Sequence, residues 1–221
     1  MTEFRRPRFP AEIDRDEQGR PIDYGNRWRG ESPPEDSYSR VSNLQRFAPL
    51  HAVTDALIDW LRDTFDVTVE QTPTAASDLL HMPDHVVRAA RVIPRESTAA
   101  PLTFVLTAFP GLSLHAGSLH DFHFPGCGCD ACDDDVTNVA DELEWTVRTV
   151  VSGGFSERLD PWPGRWIEYR LEEPGVGMRS GRGRTKDLPD ERVKFARTAL
   201  PTAGQWSPWP LLPQSEAGAV E

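Results

Sequence analysis

The cysteines are the residues whose spacing points most directly to chemistry. All three cysteines of the sequence, Cys127, Cys129 and Cys132, lie within six residues in the pattern C-x-C-x-x-C. Two thiolates separated by two residues can bind one metal ion, and Cys127 offers a third thiolate from the preceding turn. In a reducing compartment such a cluster indicates a metal site before it indicates a disulfide. We therefore expect a zinc ion held by these three sulfur atoms.

A tetrahedral zinc site needs a fourth ligand, and histidines lie just before the cysteines. His123 is the predicted ligand, because on a strand its side chain points away from the face that its two phenylalanine neighbours share. His120 is the second choice, and a carboxylate oxygen of Asp130 or Asp133 is a further alternative. An imidazole beside three thiolates closes the site and makes it structural, whereas a water molecule as fourth ligand leaves it open for catalysis.

Two other interpretations of the cysteines compete with zinc. In the first, three reduced thiols bind nothing, and Gly126 and Gly128 simply allow a tight turn. In the second, Cys129 and Cys132 form a redox pair, which would need a lowered thiol pKa. Nearby carboxylates oppose that by raising a thiol pKa, so the redox interpretation ranks below metal binding. The carboxylates around the pair are those of Asp130, Asp133, Asp134 and Asp135.

The elements that position the cysteines follow from hydrophobic periodicity. Apolar residues recur at helical spacing from Pro49 to Phe65 and again from Asp135 to Val151. Between these helices lie five strand-like segments, separated by Pro, Gly and Ser: Val67–Gln71, Val86–Ile93, Leu102–Phe109, Leu112–Ala116 and Leu119–Phe124. Strands that follow one another without helices favour an antiparallel meander. One or two late strands, most clearly over Trp166–Leu171, and a short helix over Asp190–Ala199 complete the prediction.

The predicted fold is α+β, a two-layer sandwich in which a mainly antiparallel sheet of four to six strands packs against two main helices. Residues 1–45 are polar and aperiodic and predict an extended or partly ordered N-terminal arm. Residues 46–200 form the predicted α+β domain, and residues 201–221 a tail rich in Pro and Trp. We expect Trp206 and Trp209 to pack this tail onto the domain.

Composition limits the expected partners. The formal net charge is −11, which on average repels the phosphates of nucleic acids. No apolar run approaches the roughly 18 to 20 residues that cross a bilayer, and no apolar segment of a secretory signal follows the basic start. We therefore expect a soluble, cytoplasmic protein with no membrane partner and little affinity for nucleic acid.

A basic, glycine-rich run at Arg179–Lys186 is the main exception to the acidic composition. Backbone N–H groups and guanidinium groups in such a run can hold phosphate. Short basic runs are common, however, and a flexible solvated loop or pairing with acids elsewhere is the preferred interpretation.

Several segments of the chain resemble a bacterial family of unknown function, of actinobacterial type. They are Pro33–Val41, Arg46–His51, Thr107–Leu112, Phe124–Asp133 with the motif FPxCGCDACD, and Trp206–Pro210 with the motif WxPWP. The resemblance extends over most of the chain and implies that the arm and the tail belong to the folded unit. The family has no assigned activity, so the resemblance implies no catalytic residue.

Three functions remain in competition on the sequence alone. The first is a non-enzymatic protein that binds a protein or a small ligand and carries a structural zinc knuckle. The second is a metal-dependent enzyme with an open zinc position near His120 and His123. The third is a phosphate or nucleic-acid binder that uses Arg179–Lys186.

Overall fold

Two antiparallel sheets and three α-helices make up most of the regular structure of the described chain, which comprises residues 3–10, 13–160 and 166–213 of a computed structural model. The predicted α+β class is confirmed. The helices and the first five strands follow the predicted segments, with boundaries that differ by at most two residues.

The two main helices begin where local chemistry favours a helix start. Helix α1 spans Pro49–Thr64, and its proline occupies the first turn, where no backbone N–H is needed. Helix α2 spans Val136–Val151, and the carboxylate of Asp135 accepts a hydrogen bond from the N–H of Asn138 at 3.3 Å. Helix α3 spans Asp190–Ala199. None of the helices in the described chain has the length and apolarity to cross a bilayer.

The larger sheet is an antiparallel meander whose strands are neighbours in chain order. Its strands are β1 (Val67–Gln71), β2 (Val86–Pro94), β3 (Leu102–Thr107), β4 (Leu112–Ala116) and β5 (His120–Phe124). One face of the sheet packs against α1 and α2 and forms the main core. Its buried members include Leu57 and Leu61 of α1, Leu143 and Val147 of α2, and Phe104, Leu114 and Phe122 of the sheet.

The smaller sheet contains three strands where the sequence predicted one clear late strand. They are β6 (Phe155–Leu159), β7 (Trp166–Glu173) and β8 (Gly177–Arg184). Strand β8 contains Arg179–Arg184 of the basic, glycine-rich run, so the expectation of a flexible loop is wrong for this part. The alternative expectation, pairing with acids elsewhere, is met by Arg179 with Glu142 and by Arg182 with Glu168. A Cβ atom on Gly181 would lie 2.3 Å from a ring carbon of Tyr169 on β7. Glycine at that position therefore lets the tyrosine ring lie across the strand.

The second face of the larger sheet is covered by a 3₁₀ segment, Pro73–Asp78. Asp78 receives two hydrogen bonds of 2.6 Å from the guanidinium of Arg91 and one of 2.6 Å from the hydroxyl of Thr103. His115 and Asp121 form a second buried polar pair on this face, with 2.7 Å between Nδ1 and the carboxylate oxygen. The contacts of Asp78, and the N–H of Leu80, which donates to the carboxylate of Asp121 at 2.8 Å, attach the 3₁₀ segment and the residues after it to the sheet.

Residues from both predicted terminal segments pack against the core. Phe4 and Phe9 of the arm lie against it, and Trp206 and Trp209 are buried within it, as the sequence predicts for the tryptophans. The indole N–H of Trp209 donates to the carbonyl of Ala100 at 2.9 Å. Residues 1–2, 11–12 and 214–221 of the predicted arm and tail lie outside the described residues. The boundaries of the three predicted segments stay predictions.

Candidate metal centre

The three cysteines lie on the loop that joins β5 to α2, residues 125–134, which we call the cysteine loop. Their sulfur atoms all lie within 4.8 Å of one another. The Sγ atoms of Cys129 and Cys132 are 3.5 Å apart, and the N–H of Cys129 donates to Sγ of Cys127 at 3.4 Å. A tetrahedral zinc with bonds of about 2.3 Å places its sulfur ligands about 3.8 Å apart. The number, kind and spacing of these donors therefore fit zinc.

The shape of the cysteine loop depends on a close contact with Phe109. A Cβ atom on Gly128 would lie 2.5 Å from Cζ of Phe109, so the ring fills the space that a side chain would need. Phe109 in turn stacks on Phe47, with ring centroids 6.3 Å apart. The N–H of Cys132 donates to the carbonyl of Cys129 at 3.2 Å and closes the turn between the two. The glycine thus allows the loop to pack on an aromatic surface.

The N-terminal arm binds the cysteine loop through Asp130 and its neighbour. The N–H of Asp130 donates to the carbonyl of Arg40 at 2.8 Å, and the N–H of Ala131 donates to the carbonyl of Ser37 at 3.1 Å. The carboxylate of Asp130, which is 1% exposed, accepts from the N–H and from the hydroxyl of Ser42, both at 2.8 Å. Burial raises the pKa of Asp130, but the hydrogen bonds from Ser42 and the positive charges of Arg27 and Arg40 together outweigh it and hold the pKa below its ordinary value.

A second set of contacts lies at the end of the cysteine loop. The N–H of Gly25 donates to the carbonyl of Asp133 at 2.8 Å, and the N–H of Arg27 donates to its carboxylate at 2.7 Å. The guanidinium of Arg46, the residue directly after the arm, donates to the carbonyl of Asp134 at 3.3 Å. The arm therefore follows the cysteine loop over its second half. Composition alone did not predict this, because each of these hydrogen bonds has a backbone group on at least one side, and a backbone partner leaves no pattern in the sequence.

His123, the predicted fourth ligand, is exposed, and its Nδ1 lies 3.0 Å from the hydroxyl of Ser113. His120 is buried, and its Nδ1 lies 2.7 Å from the carboxylate of Glu157. Among the described residues, the group of potential ligand atoms within 4.8 Å contains the three sulfurs and no histidine or carboxylate. The structure thus brings the cysteines together and leaves both histidines outside the cluster.

The two aspartates named as alternative ligands have other partners. Beyond its contacts with Ser42, the carboxylate of Asp130 lies 3.6 Å from the guanidinium of Arg27. One carboxylate oxygen of Asp133 accepts from Arg27, and its other oxygen is buried without a hydrogen-bond partner. Both side chains hold the arm in place.

The thiols differ in their tendency to ionise. The hydrogen bond with Cys127 and the backbone N–H of Cys132 lower the pKa of Cys129. Loss of solvent around the sulfur, followed by hydrogen bonds with the other two cysteines, raises the pKa of Cys132 to about 12, although the residue as a whole is exposed. Cys129 is therefore the first of this pair to become a thiolate. A zinc ion would displace the protons of the remaining thiols, since only thiolates bind it.

A buried carboxylate outside the cysteine loop was missed by the sequence reasoning. Glu157 on β6 is 0% exposed and accepts four hydrogen bonds. They come from the N–H of Ser118 at 2.9 Å, the N–H of Leu119 at 2.8 Å, Nδ1 of His120 at 2.7 Å and the indole of Trp206 at 2.9 Å. This carboxylate therefore connects the two sheets and the tail. In the sequence Gly117 indicates only a turn; in the structure a Cβ atom there would lie 2.1 Å from the carboxylate, so glycine is what allows Glu157 to approach the turn.

Comparison with known proteins places the chain in a family. Residues 10–213 match a family described as a family of unknown function, DUF6226. No curated protein and no solved structure matches the chain. The match confirms the predicted resemblance to a family of unknown function, while the actinobacterial origin stays a prediction. Because the match covers nearly all of the sequence, the chain belongs to the DUF6226 family.

Proposed function

We propose that the protein is a non-enzymatic binding or interaction protein of the cytoplasm, with a structural zinc knuckle formed by Cys127, Cys129 and Cys132. The observation that carries the proposal is the approach of three sulfur atoms to within 4.8 Å on one loop. Cytoplasmic thiols stay reduced and remain available to a metal. A protein or a small ligand is the expected partner.

The surroundings of the cysteines support a structural role for the metal. The cysteine loop contacts the arm at Ser37, Arg40 and Ser42 and leads directly into α2. A zinc ion would hold the loop in the conformation that these contacts need, so the free energy of metal binding would add to the free energy of folding. Its positive charge would also offset the carboxylates that follow Cys132.

His123 is the proposed fourth ligand. Its imidazole is exposed and makes one hydrogen bond, to Ser113, which a metal bond would replace at low cost. With this ligand the zinc would have three sulfurs and one nitrogen and no position for substrate.

A metal-dependent enzyme is the second candidate, and one observation favours it. Among the described residues, no histidine nitrogen or carboxylate oxygen joins the three sulfurs within 4.8 Å, and Cys127 and Cys132 are exposed. A water molecule would then complete the coordination, and zinc-bound water is a nucleophile at neutral pH.

Metal analysis and cobalt spectroscopy together test both candidates. Protein purified without chelator should contain about one zinc per chain. Cobalt(II) exchanged into the site should give the visible absorption of a tetrahedral thiolate complex. His123→Ala should shift that absorption if the imidazole is a ligand, and His81→Ala, which changes an exposed histidine outside the cluster, should not. An unshifted spectrum in His123→Ala would favour the open site, and the absence of any bound metal would refute both candidates.

A further inference from the structure

The outer face of the smaller sheet carries a concentration of arginines in an otherwise acidic protein. Side chains alternate along its strands, so Arg158, Arg182 and Arg184 share the face with Trp166. The guanidinium of Arg182 lies 4.5 Å from the centre of the Trp166 ring, and that of Arg184 lies 5.3 Å from it. These contacts hold two of the cations above one aromatic surface.

A cleft of about 870 Å³ opens beside this face. We call it the basic cleft; Arg158, Arg182 and Arg197 of α3 line it, and residues 201–204 form a wall. The wall is fixed to β6, because the N–H of Glu157 donates to the carbonyl of Gly204 at 2.8 Å. An adjoining cavity of about 710 Å³ shares Arg158 and Arg182. The volume of the basic cleft is within the usual range for small-molecule sites, roughly 300 to 1,000 Å³.

The arginines of the basic cleft are only partly neutralised. Arg182 pairs with Glu168 at 2.9 Å, whereas Arg158 and Arg197 have no acidic partner among the described residues. The other acids at the cleft are Glu157, whose oxygens already accept four hydrogen bonds, and Asp160, which has an interaction of its own. Two exposed guanidinium groups therefore remain available to a ligand.

We propose that the basic cleft binds a small phosphorylated compound, whose phosphate groups accept hydrogen bonds from Arg158 and Arg197, with Arg182 adding positive charge beside them. Guanidinium groups form paired, charge-assisted hydrogen bonds with phosphate oxygens. A net charge of −11 disfavours a long polynucleotide, which would extend beyond the cleft over acidic surface. The proposal does not depend on the zinc knuckle.

Calorimetric titration with ATP and with inorganic pyrophosphate tests the proposal. Both probes should bind to the full-length protein, and added salt should weaken the binding, because the attraction is largely between charges. The double variant Arg158→Ala, Arg197→Ala should weaken the affinity for ATP by about tenfold or more. Arg148→Ala, which removes an exposed arginine that does not line the cleft, is the matched control and should bind as the unaltered protein does.

Three results would overturn the proposal. The first is that neither probe binds at millimolar concentration. The second is that the double variant, shown by circular dichroism to be folded, binds ATP with unchanged affinity. The third is that a single-stranded oligonucleotide binds more tightly than ATP through the same two arginines. The last result would identify the basic cleft as part of a nucleic-acid surface.

Discussion

Cys129 stands between the other two cysteines both in sequence and in hydrogen bonding. Its N–H contacts Sγ of Cys127, and its Sγ lies 3.5 Å from Sγ of Cys132. Its lowered pKa makes it the thiol that ionises more readily than Cys132. The cluster thus has a central donor whose loss would leave two sulfurs and a weaker site.

Cys129→Ser should reduce bound zinc from about one per chain to a small fraction, because a hydroxyl is a much poorer zinc ligand than a thiolate. Elemental analysis and titration of released zinc with a chromogenic chelator measure this. Thr137→Ser, a conservative change at an exposed position in α2, serves as the control. Equal zinc content in Cys129→Ser and the control would contradict the proposed ligand set.

Glu157→Gln should lower the free energy of unfolding by about 1–3 kcal/mol. The substituted amide presents an NH₂ group to donors that now bond to the carboxylate, so at least one buried donor loses its acceptor. Urea unfolding followed by tryptophan fluorescence measures the change. Glu172→Gln removes a carboxylate of similar length from an exposed pair with Arg170 and should change the stability by less than about 1 kcal/mol.

At the scale of elements, the sequence predicted α1, α2 and the meander well, because the helices carry apolar residues at helical spacing and the strands are apolar segments bounded by Pro, Gly and Ser. Strand β8 was missed because arginine and glycine alternate there without an apolar face. The arm was only partly predicted, since its aromatics were visible in the sequence but its backbone partners on the cysteine loop were not. Likewise, the cysteines were found from spacing alone, whereas the carboxylate of Glu157 depends on contacts between distant segments.

Asp130→Ala should loosen the arm, because it removes the acceptor of both hydrogen bonds from Ser42. We expect faster amide hydrogen exchange over residues 37–46 while the amides of β3 and β4 stay protected. Asp36→Ala is the control, since Asp36 is exposed and its carboxylate has one ion pair among the described residues, with Arg40 at 3.4 Å. Unchanged exchange in the arm would show that its backbone contacts suffice without this carboxylate.

Asp78 should make the attachment of the 3₁₀ segment sensitive to acid. Burial raises its pKa, but the hydrogen bonds from Arg91 and Thr103, together with the positive charge of Arg91 and an electrostatic contribution from His115, outweigh burial and hold the pKa below its ordinary value. A carboxyl whose pKa is depressed in the folded state stabilises the fold above the unfolded pKa, about 3.9, and loses that contribution as pH falls through the folded pKa. Asp78→Asn should therefore flatten the loss of stability below about pH 4.

Unfolding by urea at a series of pH values measures the effect of Asp78→Asn. Asp63→Asn, at an exposed site on α1, should keep the pH profile of the unaltered protein. If the free energy of unfolding of Asp78→Asn changed with pH in the same way as that of the unaltered protein, the ion pair with Arg91 would make no pH-dependent contribution to stability.

At the scale of the whole molecule, the metal is expected to add stability to a fold that already has a substantial hydrophobic core. The core between α1, α2 and the larger sheet is continuous with the smaller sheet and with both tail tryptophans. A domain of this size does not need a metal to fold, unlike a small zinc finger. The proposed knuckle and the core should therefore contribute separately to the free energy of unfolding.

Chelator should lower the melting temperature of the zinc-loaded protein while far-UV circular dichroism at 25 °C stays the same. The reason is that a metal bound only by the native state stabilises the native state by mass action, and removing the metal removes this stabilisation. Hydrogen exchange should increase over residues 124–136 and stay slow for Leu57, Leu61 and Leu143. Cys129→Ser should show no response to chelator, and an unchanged melting temperature in the loaded protein would argue against a structural metal.

The packing of the C-terminal tail onto the core has a consequence for folding during synthesis. Trp209 bonds to Ala100, Ser207 forms a bridge with Ala99, and the N–H of Asp66 donates to the carbonyl of Pro210. A chain emerging from the ribosome exposes the apolar surface beneath these residues until they have been synthesised. A stop codon a few residues before Trp206 should therefore yield a truncated protein that chaperones and proteases recognise, even though this protein contains all the strands of both sheets.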